Sequence, residues 1–226
     1  MAGRLLDFAR PFLTIWTRPR ATIRWIVDSD PTLHVLLLAA TCSALSTLHA
    51  QQTFEEMVQR IPHPHPLPVY FLRAGLLVNW LVALYSPAGI LASSSIKVAL
   101  LVVLGAAYGI VLLFVLGAFL KWSGSLLGGV ASALQVRAAI AWGLLPFIVA
   151  NIFLLSPRSD SAPPSPISFV FIVWGFVALI KCIGEVHRFS AWRGLGLVAM
   201  SLCLFSLYSI VVSMTMLLLE RAGSYL

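Results

Sequence analysis

Between Lys97 and Lys121 the chain runs for 23 residues, Val98–Leu120, without a single charged side chain. An apolar run of that length is as long, when helical, as the hydrocarbon core of a bilayer is thick. A backbone in hydrocarbon must satisfy its own N–H and C=O groups, which an α-helix does within one segment. The run, extended to Ile96–Trp122, therefore reads as a transmembrane helix with some tilt. The rest of the chain repeats the pattern. Thr32–Ala50, Ala138–Leu155, Ile167–Ile183 and Gly194–Leu219 are further spans, the third of the five interrupted by Pro146 as a kink. Of all residues 60% are hydrophobic and 10% charged, with a mean hydropathy of +0.95, too few charges for the skin of a soluble domain.

The fold class expected is all-α: a polytopic membrane bundle of five helices at 32–50, 96–122, 138–155, 167–183 and 194–219, preceded by an interfacial arm at 1–31. The arm holds Arg4, Arg10, Arg18, Arg20 and Arg24 among Phe8, Phe12, Trp16 and Trp25. After Pro19 the run ATIRWIV suits two turns of helix, with the proline at a first position where its missing N–H costs nothing. Asp30–Pro31 then reads as N-cap and first residue of the first span. Some thirty residues with five arginines are too long for the charged head of a signal peptide, so that span is expected to stay. Residues 51–66, Ser123–Gly129 and Ser156–Pro166 read as connections.

Leu67–Ser95 is apolar but contains Arg73, Asn79, Pro87 and Gly89 and ends in three serines. Charge decides its placement. If it lies in the interface or dips in partly, Arg4, Arg10, Arg18, Arg20, Arg24, Lys121, Arg137, Lys181, Arg188 and Arg193 share the side of the N-terminus, against Arg60, Arg73, Lys97, Arg158 and Arg221. If it crosses, the later residues swap sides and the ten-to-five ratio falls to eight-to-seven. The positive-inside rule prefers five crossings with a cytoplasmic N-terminus.

The net charge of +7 is scattered beside apolar runs, which suits anionic headgroups and argues against nucleic acid. Cys42, Cys182 and Cys203 have no metal or redox spacing. His49, His63 and His65 with Glu55 and Glu56 lack the helical spacing that presents two rings on one face, and read as a polar loop. No phosphate-binding loop and no nucleophile elbow occurs, and Asp7, Asp28, Asp30 and Asp160 all fall off the spans. The reading is not an enzyme, with no cofactor. The remaining cluster is Lys181, Glu185 and Arg188, spaced i, i+4, i+7 for one helix face, beside His187, Trp192 and Arg193. With Arg18, Arg20, Arg24 and Trp25 these residues form the candidate surface for anionic lipid or a membrane-associated protein.

WTRPRATIRWIVDSDP followed by HVLLLAA, then LGAFLKWSGSLLGG, VRAAIAWGLLP and EVHRFSAWR, in that order, resemble the bacterial branch of the Yip family, membrane proteins named for yeast members that interact with Ypt/Rab GTPases. The resemblance covers residues from about 14 to 193 and implies five helices with a cytoplasmic N-terminus. Eukaryotic relatives carry D-L-x-G-P on the arm; here Val27–Pro31 is VDSDP, so small-GTPase binding does not carry over. The function expected is a non-enzymatic, membrane-organising or partner-binding scaffold of the trafficking type, with the bilayer, an unidentified membrane protein or a second copy of the chain as partners. The alternative is a small transporter or channel using Glu185 and the Pro146-kinked third span.

Overall fold

The computed structural model describes residues 10–32, 34–60, 94–156, 166–190 and 192–200, with Cys203, Ser206, Leu207, Ile210, Met214 and Thr215. Every regular element among them is helical. After a helical turn at 10–14, helix α1 is Pro19–Ser29, with the proline in its opening turn. Pro19, Thr22, Ile23 and Ile26 are buried at spacing i, i+3, i+4, i+7, which is one helix face. The arm packs on the bundle: Ile15, Ile23 and Ile26 are 0% exposed and belong to its core.

Asp30 ends α1 instead of capping the next helix. Its backbone N–H bonds Ile26 O at 2.8 Å, and its carboxylate accepts from Thr32 N at 2.9 Å and Thr32 Oγ1 at 2.6 Å. That local turn occupies Pro31 and Thr32, and His34 turns the chain with φ at +54°. The helix then starts at Val35, three residues later than the sequence suggests. It continues as α2, Val35–Arg60, so residues 51–60 are helix where a connection was expected, and His49, Glu55 and Glu56 sit on it. His63, His65 and the stretch 67–93 lie outside the described residues. Ser94 and Ser95 already belong to α3, Ser94–Leu126.

Helices α2 and α3 pack antiparallel through glycines. A Cβ at Gly105 would lie 2.8 Å from Thr47 Oγ1, and one at Gly109 would lie 2.6 Å from Ala39 O and collide with Ser43. Small residues on successive turns let two backbones approach closely, the usual source of helix association where burial from water contributes nothing. The register, 105 with 44–47 and 109 with 39–43, places Arg60 and Ser94 at one end of the bundle, and Val35 and Leu126 at the other, where α1 docks.

Helix α3 runs on through Ser123–Leu126, the start of the expected loop, and stops at a left-handed cap. Gly128 has φ +82°, Gly129 N–H bonds Gly124 O at 2.8 Å and Gly128 N–H bonds Ser125 O at 3.0 Å. This pairing satisfies the last carbonyls of the helix. The next helix, α4, Ala133–Gly143, begins five residues before the sequence-based bound. Ser132 and Gln135 form a reciprocal capping box, at 3.3 Å and 2.9 Å. Leu144 is the joint and α5, Leu145–Leu155, follows with Pro146 in its first turn, so the expected kink is present. Asn151 Nδ2 donates to Ser46 Oγ on α2 at 3.1 Å. Helix α6, Pro166–Val186, returns along α4 and α5, with Phe147 edge-on to Phe176 at 5.1 Å and a stacked Phe153–Phe171 pair at 5.8 Å. A further helical stretch occupies 192–200.

Candidate functional site

The site is the end of the bundle where α1 lies across α4 and α6. Arg24 donates from Nε to Glu185 Oε1 at 2.8 Å, and its Nη2 contacts the same oxygen. Arg20 Nε stands 4.0 Å from Glu185 Oε2, and its Nη2 donates to Phe189 O at 3.4 Å. The hydrogen bond and charge of Glu185 raise the Arg24 guanidinium above its ordinary pKa. Glu185 is thus committed to the arm. The Lys181–Glu185–Arg188 face does not exist: Lys181 Nζ lies over the Trp174 ring at 5.7 Å, and Arg188 has left the helix with φ +57°.

Arg188 is the left-handed residue of a second cap like that of α3. Phe189 N–H bonds Gly184 O at 2.7 Å and Arg188 N–H bonds Glu185 O at 3.0 Å. The two caps pack on each other. His187, 1% exposed, occupies the space that the missing side chains of Gly124 and Gly129 leave, and stacks on Phe189 at 5.2 Å and 15°. A Cβ at Gly129 would lie 2.9 Å from Phe189 Cζ. Neither ring nitrogen makes a full hydrogen bond. Burial pulls the imidazole pKa down, with the Leu120 carbonyl opposing. Sequence reading placed His187 in the cluster but gave it no role; the paired glycines at 124 and 129 were the available signal.

The remaining expected residues face outward. Arg18, Arg188 and Arg193 are exposed and Trp192 is 82% exposed, while Trp25 is half-buried with Arg10 Cζ 5.8 Å from its ring. Cys182 is sealed beneath the arm, its Sγ 3.9 Å from Pro19 O, which leaves no access for a lipid modification. Among the described residues no group of three His, Cys, Asp or Glu converges as a metal site.

A cavity of about 460 Å³ opens between α2, α3, α5 and α6. Its lining is apolar, with Ser43, Ser46, Thr47, Tyr108 and Asn151 as polar points, and includes no carboxylate or cation. Glu185 is not on it. Pro146 therefore bends the chain beside a cavity with no charged lining, and the acid expected to work with that kink is elsewhere.

Among the described residues three helical segments, Val98–Leu126, Ala133–Leu155 and Pro166–Val186, are long and apolar enough to cross a membrane. Together with the inward small residues and outward aliphatic faces, they define a multi-pass integral membrane protein of the helical-bundle class. Residues 13–214 match the Yip1 domain, and the chain belongs to that family. No curated protein and no solved structure matches it.

Proposed function

We propose that this Yip1-family protein, of the family's bacterial branch, crosses the membrane five times with its N-terminus in the cytoplasm and works as a non-enzymatic, trafficking-like scaffold. It binds a membrane-associated partner or anionic headgroups through the arm end of the bundle. The observation that carries this reading is a charge asymmetry. Among the described residues, Arg10, Arg18, Arg20, Arg24, Lys121, Arg137, Lys181, Arg188 and Arg193 gather at the arm end against Asp28, Asp30 and Glu185, whereas the other end carries Arg60 and Lys97 with Glu55 and Glu56. Such a bias orients a bundle with its basic end toward the cytoplasm. Arg60 and Ser94 lie at the same end, which supports a reading in which 67–95 makes no net crossing.

The binding face is narrower than the sequence suggests. Arg20 and Arg24 hold Glu185, so Arg18, Arg188 and Arg193 with Trp192 are the groups left to a partner. Each cation near an anionic surface contributes about 1 kcal/mol. The transport alternative has lost its acid, because Glu185 is pinned to the arm and the cavity lining carries no charge.

The test is a chemical cross-linking pull-down from native membranes, comparing the unaltered chain with Arg188→Gly combined with Arg193→Gln. Glycine is favoured at the left-handed cap, so this pair removes two exposed cations without disturbing the fold. Partners held by the face should disappear from the variant while its Tm in detergent is unchanged or higher. The same partners at the same yield would refute the assignment.

A further inference from the structure

Arg137 sits five residues beyond the Ser132 cap, on a 23-residue apolar span, which is about 7 Å into it along the axis. Its side chain lies against α3 where Gly117 leaves a trench: a Cβ there would be 2.7 Å from Arg137 Cγ and 3.6 Å from Nε. The guanidinium rests over Phe114, with Cζ 4.3 Å from the ring centroid, and Nε is buried without a hydrogen-bond partner. Phe114, Val111 and Val115 are exposed on α3, so the guanidinium stands at the edge of a surface that faces acyl chains.

A cation at this depth needs an anion, and a ring quadrupole is a partial substitute. Among the described residues no carboxylate supplies one. Glu185 is held by Arg24 and Arg20, Asp30 by Thr32, Asp28 is exposed on α1 where its charge acts on Arg24, and Glu55 and Glu56 are on the far end of α2. Lys121 follows Gly117 by one turn on the same face of α3, toward the arm end, and is exposed. The α3–α4 groove therefore presents two cations, one at the interface and one below it, over an apolar wall.

We propose that this groove is a binding site for one anionic glycerophospholipid of the surrounding bilayer. Arg137 and Lys121 take the phosphodiester, and the acyl chains lie along Phe114, Val111 and Val115. Basic pockets between membrane helices recognise anionic headgroups in this way, and a guanidinium suits a phosphate through its forked donors. Free phosphate lacks the acyl chains that the exposed Val111, Phe114 and Val115 would hold. The site is separate from the arm face, and its failure leaves the proposed scaffold role standing.

The experiment titrates purified protein in uncharged detergent with phosphatidylglycerol, phosphatidylcholine or inorganic phosphate, reading bound lipid by native mass spectrometry and Tm by scanning fluorimetry. Phosphatidylglycerol should be retained and raise Tm; the other two should not. Arg137→Gln and Lys121→Gln should each weaken retention about fivefold, while Arg60→Gln, at the opposite end of α2, should not. Should Arg137→Gln fail to fold, Lys121→Gln carries the test alone, since Lys121 is exposed. Equal retention of phosphatidylcholine, an equal response to inorganic phosphate, or unchanged retention by Lys121→Gln overturns the proposal.

Discussion

Arg24 and Glu185, 161 residues apart in the chain, share a hydrogen bond of 2.8 Å that ties the arm helix α1 to the last turn of α6. Glu185 is 17% exposed and Arg24 67% exposed, so the pair closes the rim of a contact whose centre is Ile15, Ile23 and Ile26. An exposed ion pair contributes less to stability than a buried aliphatic side chain. Glu185→Gln should therefore lower Tm modestly, and Arg24→Glu with Glu185→Arg should recover part of the loss. Ile23→Ala should lower it much further, at about 2–5 kcal/mol. Thermal denaturation in detergent checks the order, and a larger loss from Glu185→Gln than from Ile23→Ala contradicts it.

His187 makes the arm-end joint sensitive to acid. Its folded-state pKa lies below the ordinary imidazole value of about 6.5 because burial disfavours the cation. Between those two values the unfolded chain binds the proton and the folded one does not, so stability falls as pH falls below about 6.5 and levels off beneath the folded pKa. Tm measured from pH 8 downward should decline in that window, and His187→Gln should flatten the decline. A decline of the same size in the variant assigns it to other groups.

Close packing of α2 on α3 predicts unequal glycines. Gly109→Val forces Ser43 and the Ala39 carbonyl apart and should destabilise by about 1–3 kcal/mol. Gly196→Ala meets nothing within 4 Å and should leave Tm unchanged or raise it. Paired melts of the two variants decide whether the contact is as tight as the geometry indicates.

Topology is open to direct labelling. Ser125 is exposed in the last turn of α3, at the arm end. In a chain with its own three cysteines replaced, Ser125→Cys should resist an impermeant maleimide in intact cells and react after permeabilisation. Labelling before permeabilisation reverses the proposed orientation.

What the sequence determined is whatever depends on near neighbours. Charge-free runs produced long helices because a backbone in apolar surroundings has to satisfy itself. Pro19 opens α1 and Pro146 bends the chain where α4 meets α5 because a ring without an N–H acts on its own turn. The arm's i, i+3, i+4, i+7 face was present in PRATIRWI. Tertiary structure decided the rest. The spacing of Lys181, Glu185 and Arg188 describes one face only if the helix continues, and it stops at Val186. There Phe189 packs against Gly129, and the cap hydrogen bonds hold Arg188 in a left-handed conformation that a non-glycine residue adopts at a cost. Asp30 closed a turn instead of opening a helix because Thr32 offered two donors nearby. The partner of Glu185, the cradle of His187 and the trench under Arg137 each join residues from different helices. Such pairings follow from which helices pack and in what register, and residue spacing within one helix does not encode them.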